Sequence, residues 1–153
     1  MQKIASFSIN HDALVPGLYV SRVDGDVITY DLRMRKPNQG AYMTTAVAHT
    51  LEHLFATYVR SSAYSSAIVY VGPMGCRTGF YFLTRDSMSH QDVLNLLRES
   101  FAFIKDFEGE IPGAKHMECG NYLDHDLYAA RIESAAYLEV LSRWTVEDMV
   151  YPD

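Results

Sequence analysis

The stretch Gly17-Leu18-Tyr19-Val20-Ser21-Arg22-Val23-Asp24-Gly25-Asp26-Val27-Ile28-Thr29-Tyr30-Asp31-Leu32-Arg33-Met34 decides the fold class. Asp24-Gly25 sits between two runs rich in β-branched and aromatic residues, which is the signal of a β-hairpin. In the second run Ile28, Tyr30, Leu32 and Met34 alternate with Val27, Thr29, Asp31 and Arg33. One face is apolar and the other largely polar, the pattern of a half-buried antiparallel strand. Asp31 and Arg33 fall on the polar face, where they are placed to line a cleft.

Working outward, residues 3 to 9 alternate loosely and read as a first strand, ended by Asn10-His11-Asp12. Lys36 to Gly40 form a loop. Thr44 or Thr45 then caps a helix to about Ser62, whose residues Val47, Leu51, Leu54, Phe55, Tyr58 and Val59 recur at helical spacing. Residues 66 to 71 and 78 to 84 are strands about the tight connection Gly72-Pro73-Met74-Gly75-Cys76. Ser89 opens a helix to about Phe107 with Val93, Leu96, Leu97, Phe101 and Ile104 as its stripe. Residues 108 to 121 form a loop. A last helix spans about Leu123 to Trp144, with Leu127, Ala130, Ile132, Ala135, Leu138 and Leu141 as its apolar positions. Hairpin-joined strands with helices gathered elsewhere predict an α+β, two-layer fold: a mainly antiparallel sheet with helices on one face. The 153 residues are expected to form one domain, residues 1 to 153.

Composition excludes several classes. The chain is 48% hydrophobic and 21% charged, which is globular composition. A net charge of −6 without a Lys/Arg run argues against a nucleic-acid surface and against anionic membranes. No stretch approaches a membrane span, and the start of the chain lacks the apolar run of a signal peptide, so a cytoplasmic location is expected.

The chemistry gathers at His49-Thr50-Leu51-Glu52-His53. Histidines four apart project from one helix face, so their nitrogens can converge on one metal ion. Glu52 is a general-base candidate beside them. Cys119, in a loop before Gly120, is the third ligand candidate. A His₂Cys set leaves a fourth position open, as catalytic sites do. The competing reading is two histidines on a helix without a metal. Cys76, flanked by glycine, reads either as a base or nucleophile, or as a small buried residue. His11 reads as a turn residue, His125 as one that caps or packs at a helix start, and His90 and His116 as solvent-facing. Asp124 and Asp126 read as charges at a helix N-terminus.

Taken together, His49 to His53, Gly72-Pro73-Met74-Gly75-Cys76-Arg77-Thr78-Gly79-Phe80, and Glu118-Cys119-Gly120 with His125-Asp126-Leu127 resemble the S-ribosylhomocysteine lyase family. Ser6-Phe7 with His11, and Asp31-Leu32-Arg33 with Pro37-Asn38, are similar to its N-terminal part. The resemblance implies a divalent metal on His49, His53 and Cys119, typically Fe(2+), with Zn(2+) or Co(2+) accommodated. It implies Cys76 and Glu52 as the acid/base pair, and Ser6, His11 and Arg33 as substrate-binding residues holding the sugar. It further implies a homodimer with active sites at the interface. The activity implied is cleavage of S-ribosylhomocysteine to homocysteine and 4,5-dihydroxy-2,3-pentanedione, the precursor of a quorum signal, by internal isomerisations followed by β-elimination. The chain departs from the family's usual pattern in four places: Tyr70 replaces an acidic residue, Gly72 a serine and Asn10 an acidic residue, and the segment Ala13 to Arg22 is slightly longer than usual. A second function fits the His-x-x-Glu-His pattern, a metal-dependent peptidase or amidase, but it leaves Cys76 without a task. A third is a non-catalytic metal sensor or store, which would need no open coordination position.

Overall fold

The computed structural model describes residues 1–153. Strand β1 (Gly17–Asp24) turns at Gly25 and Asp26 into β2 (Val27–Arg33). Gly25 holds φ at +59°, a conformation that glycine adopts without steric cost. Helix α1 (Thr45–Arg60) follows, then β3 (Ile68–Pro73), β4 (Gly79–Arg85), α2 (His90–Lys105) and α3 (Leu127–Ser142). The sheet order is β1-β2-β4-β3 with every pair antiparallel. This is the predicted α+β sheet with three helices packed against it.

Register explains how the sheet divides its faces. Leu18, Leu32 and Phe80 align across the strands, and so do Val20, Tyr30, Phe82 and Val71. These residues meet Leu51, Leu54 and Phe55 of α1, Leu97 and Phe101 of α2, and Tyr137 and Leu141 of α3 in one core. An aromatic chain runs through it, Phe82 to Phe55 to Phe101 to Tyr137, with centroids 5.2, 5.3 and 5.0 Å apart. Each such pair adds about 1 kcal/mol beyond the area it buries. The opposite face carries Tyr19, Asp31, Tyr81 and Gly72 in one row, and Thr29, Leu83 and Tyr70 in the next.

Helix starts follow their caps. Thr44 Oγ1 accepts from Val47 N–H, and Ser89 forms a reciprocal capping box with Asp92. Asp126 caps α3 by accepting from Ala129 N–H, so that helix begins at Leu127 rather than at Leu123. Its buried stripe is Ala130, Glu133, Ser134, Tyr137 and Leu141, whereas Ile132 is exposed. The predicted apolar stripe missed two polar members. Glu133 is buried because Arg35 pairs with it through two hydrogen bonds, one of 2.8 Å.

The expected strand over residues 3 to 9 is instead a 3₁₀ turn at Ala5–Phe7. The outer edge of β1 is already engaged near the other end of the chain, where Val20 N–H donates to Met149 O at 3.0 Å. A short alternating run has no ladder to join there. His90 also differs from expectation. It is half-buried, with Nδ1 2.7 Å from the Tyr30 hydroxyl. No helix is long and apolar enough to cross a membrane.

Candidate active site

Helix α1 presents His49, Glu52 and His53 toward the loop that precedes α3. His49 and His53 lie edge to face with ring centroids 4.5 Å apart. Each ring is aimed by its second nitrogen. His49 Nδ1–H donates to Asp124 O at 2.9 Å, and His53 Nδ1–H to Pro112 O at 2.7 Å. A carbonyl only accepts, so each ring carries its proton on Nδ1 and leaves the Nε2 lone pair free. Such backbone partners are the usual means by which ligating histidines are oriented.

The structure adds a residue that the sequence reading set aside as one that caps or packs. His125 stacks on His49, with centroids 4.1 Å apart and planes 20° apart. The ligand atoms of His49, His53 and His125 all lie within 4.8 Å of one another. His125 Nδ1 is 3.0 Å from Thr50 Oγ1, and its Nε2 is buried with no hydrogen-bond partner. Burial holds the His125 pKa below the ordinary value, and the neighbouring His49 and His53 rings would add to that lowering if charged. Three imidazoles with free or orphaned nitrogens, one of them denied water, fit a divalent metal ion.

Cys119 joins the edge of this group. Its Sγ lies 3.3 Å from His49 Nε2. Two donors on one tetrahedral ion, at bonds of about 2.3 Å to sulfur and about 2.0 Å to nitrogen, are roughly 3.5 Å apart. Beside the group a cavity of about 460 Å³ is lined by His49, Glu52, Gly75, Arg77, Asn121 and Asp124. Glu52, half-buried, therefore faces the same space as His49.

Cys76 opens into a different cavity, of about 300 Å³, with His11, Arg33, Asn38, Tyr42 and Thr78. Arg33 is 2% exposed, yet it carries a full charge. Asp31, wholly buried, holds it with hydrogen bonds of 3.1 and 2.7 Å, and Tyr151 donates to the same carboxylate at 2.6 Å. Burial alone would lower the Arg33 pKa, but Asp31 outweighs it and the net shift is upward. The guanidinium then reaches Thr78 Oγ1 at 2.8 Å and Cys76 Sγ at 3.9 Å. The expected cleft on the polar face of β2 is thus a buried ion pair whose far end touches an exposed thiol.

The loop between the cavities is tightly built. Arg77 has φ at +61°, and a Cβ on Gly79 would meet Leu32 O at 2.0 Å. The residues proposed from sequence accordingly form two sets, His49, Glu52, His53 and Cys119 in one, and His11, Arg33 and Cys76 in the other. Ser6 belongs to neither. It lines a third cavity of about 400 Å³ on the outer sheet face, with Ile4, Tyr70, Tyr81 and Tyr151. Sequence reasoning missed Thr78 and the place of His125. The sequence signals for the latter were its position six residues after Cys119 and its place in the His125-Asp126-Leu127 stretch.

Comparison with known proteins bears on both sets. The family described as S-ribosylhomocysteinase (LuxS) matches residues 4–148. A protein of Clostridium acetobutylicum named S-ribosylhomocysteine lyase is 47% identical over 158 residues, with 100% of both chains covered. Proteins of the same name from Porphyromonas gingivalis and Borrelia garinii subsp. bavariensis are 48% and 45% identical. The former is covered over 100% of both chains, and the latter over 99% of this chain and 100% of its own. With the imidazole group, the thiol beside Arg33 and this full-length likeness together, the chain belongs to the S-ribosylhomocysteinase (LuxS) family.

Proposed function

We propose that the chain is an S-ribosylhomocysteine lyase, releasing homocysteine and 4,5-dihydroxy-2,3-pentanedione, and that residues 1 to 153 act as one unit. The observation that carries this reading is the pairing of two aimed imidazoles beside Glu52 with a separate thiol held against a buried arginine. A hydrolase would need the first and has no use for the second.

His49, His53 and Cys119 are the proposed metal ligands, with Fe(2+) as the resident ion and Zn(2+) or Co(2+) as substitutes. The ligand atom of His125 lies within 4.8 Å of those of His49 and His53, which supports a role for its ring beside this set. A bound divalent ion supplies Lewis-acid polarisation of the sugar's carbonyl and hydroxyl oxygens. Cys76, as thiolate, removes a proton from the carbon beside the carbonyl and returns it to the neighbouring carbon. Glu52 moves the matching proton between the two oxygens. Two such rounds carry the carbonyl from C1 to C3. The C4 proton is then acidic, and its removal expels homocysteine thiolate from C5 as the C4–C5 double bond forms. No redox cofactor enters, because each isomerisation oxidises one carbon and reduces its neighbour. His11 and Arg33, beside Cys76, are placed to hold sugar hydroxyls.

Ser6 makes sense in a homodimer. It sits on the outer sheet face, where Ile4, Phe7 and Tyr70 are exposed apolar surface. A second copy on this face would place Ser6 at the subunit interface. Both cysteines are free, and a ligand thiolate with a base thiolate requires a reducing compartment, which supports a cytoplasmic setting.

The test is thiol release from S-ribosylhomocysteine by anaerobically purified, metal-loaded protein, with Cys76→Ala alongside. Release by the wild type and loss of at least about 10³-fold in the variant are expected, a cost in line with removal of an essential proton-transfer group. Equal rates for the two proteins would refute the role of Cys76. No release by metal-loaded wild type would refute the lyase reading.

A further inference from the structure

Thr78 is nearly buried, at 2% exposure, directly beside an exposed thiol. Its backbone carbonyl is occupied by Met34 N–H and Arg35 N–H, both at 2.9 Å, so the residue is pinned to the strand end. Its hydroxyl oxygen lies 2.8 Å from Arg33 Nη1 and 3.0 Å from Cys76 Sγ. A guanidinium has donors only, so Thr78 Oγ1 accepts from Arg33. That leaves the single hydroxyl proton of Thr78 to give, and the sulfur lies within its reach. Asp31 fixes Arg33 from behind through two hydrogen bonds, so the direction of this donor is set by buried groups.

We propose that Thr78 is a positioning residue for proton transfer: its hydroxyl, oriented by Arg33, donates to Cys76 Sγ and holds the thiolate in the cavity. A thiolate is the better acceptor, so this hydrogen bond favours the charged sulfur over the thiol. It also fixes the sulfur while leaving its exposed side free for a carbon-bound proton. The groups around the sulfur are Thr78, Arg33 from β2, His11 from the N-terminal segment and Tyr42 from the loop before α1, with Tyr81 of β4 close enough to feel its charge, while Asp31 and Tyr151 stand behind Arg33. Arg77, next in sequence, spends a donor on Met43 O. Among them only Arg33 and Thr78 have donors within hydrogen-bonding range of Sγ.

The proposal rests on the lyase reading for its part in turnover, but it is tested without substrate. Iodoacetamide alkylation of Cys76 in the metal-loaded protein is followed by peptide mass, which separates Cys76 from Cys119, from about pH 5 to about pH 9. The expected result is alkylation about tenfold slower near neutral pH in Thr78→Val, with its pH midpoint moved upward, and within about twofold of wild type in Thr78→Ser. Thr78→Ala serves as the second hydroxyl-free variant should Thr78→Val fail to fold, with the same expectation. A pH midpoint in the hydroxyl-free variant equal to wild type would overturn the proposal. So would a Thr78→Ser profile that falls as far as the hydroxyl-free one, since packing rather than the hydroxyl would then be at work. Failure of wild type to release thiol from S-ribosylhomocysteine would refute the lyase reading and leave the alkylation profiles to judge Thr78 by themselves.

Discussion

Asp31→Asn tests the buried support behind Cys76. Asp31 is wholly buried, and its carboxylate accepts from Arg33 Nε, Arg33 Nη2 and Tyr151 Oη. The asparagine has the same shape but only one accepting end. It leaves the Arg33 charge unneutralised in a site where the arginine side chain is 3% exposed. Removing one partner of a buried pair costs about 3–5 kcal/mol. The amide retains one acceptor, which places the expected loss near the low end, about 3 kcal/mol. For a domain of this size each kcal/mol lowers Tm by about 2–4 °C, so the variant melts about 6–12 °C lower. Urea unfolding of the metal-loaded protein, followed by far-UV circular dichroism and Trp144 fluorescence, gives the free energy directly. A loss below about 1 kcal/mol, the worth of an exposed ion pair, would refute the view that this pair is desolvated and structural. In that case Arg33 would be free to move, and the orientation assigned to Thr78 would lose its basis.

Gly113 holds φ at +73°, and a Cβ there would lie 3.1 Å from His53 Nδ1. Gly113→Ala is expected to strain the loop and displace His53 from Pro112 O, weakening metal affinity about tenfold or more in a chelator-competition titration. Unchanged affinity would contradict the assigned aiming of that ring. Alkaline pH tests the core. Burial raises the Tyr30 pKa from its ordinary value of 10.0 to about 12. The unfolded chain therefore releases this proton first as pH rises, and the stability present below pH 10 is lost up to about pH 12, by about 2–3 kcal/mol. Denaturant midpoints across that range should fall, and Tyr30→Phe should lessen the fall. An equal fall in both proteins would assign the effect to other buried tyrosines.

What was legible in the sequence was what local periodicity encodes. The hairpin declared itself through Asp24-Gly25 and the alternation from Ile28 to Met34. Helices α1 and α2 declared themselves through Thr44, Ser89 and their apolar stripes. His49 and His53 were legible because four residues on a helix is a fixed distance. The misread parts depend on partners far along the chain. Glu133 belongs to the inward stripe of α3 only because Arg35 meets it. His125 enters the imidazole group because Thr50 Oγ1, on the buried side of α1, hydrogen-bonds His125 Nδ1 and accepts from Asp126 N–H. Thr78 gains a direction only once Arg33 is folded against it. Residues 3 to 9 had strand-like alternation, but alternation does not supply an edge to pair with.

Tyr70 and Gly72, read from the sequence as two departures from the family pattern, are one physical feature. A Cβ on Gly72 would lie 2.5 Å from Tyr70 Cε1 and 2.6 Å from its hydroxyl oxygen. The tyrosine ring thus folds back over the glycine, and a serine at 72 would force it away. Both residues lie on β3, an edge strand, and both point to the outer sheet face. There Tyr70 joins Tyr81, Leu83 and Tyr151 around the cavity that also holds Ser6. The thiol's own partners, Arg33 and Thr78, line a different cavity, and neither touches Tyr70 or Gly72 through a hydrogen bond. The paired change therefore alters the surface offered to whatever covers this face, a second copy in the proposed homodimer. It leaves intact the groups proposed to hold the metal and the sulfur.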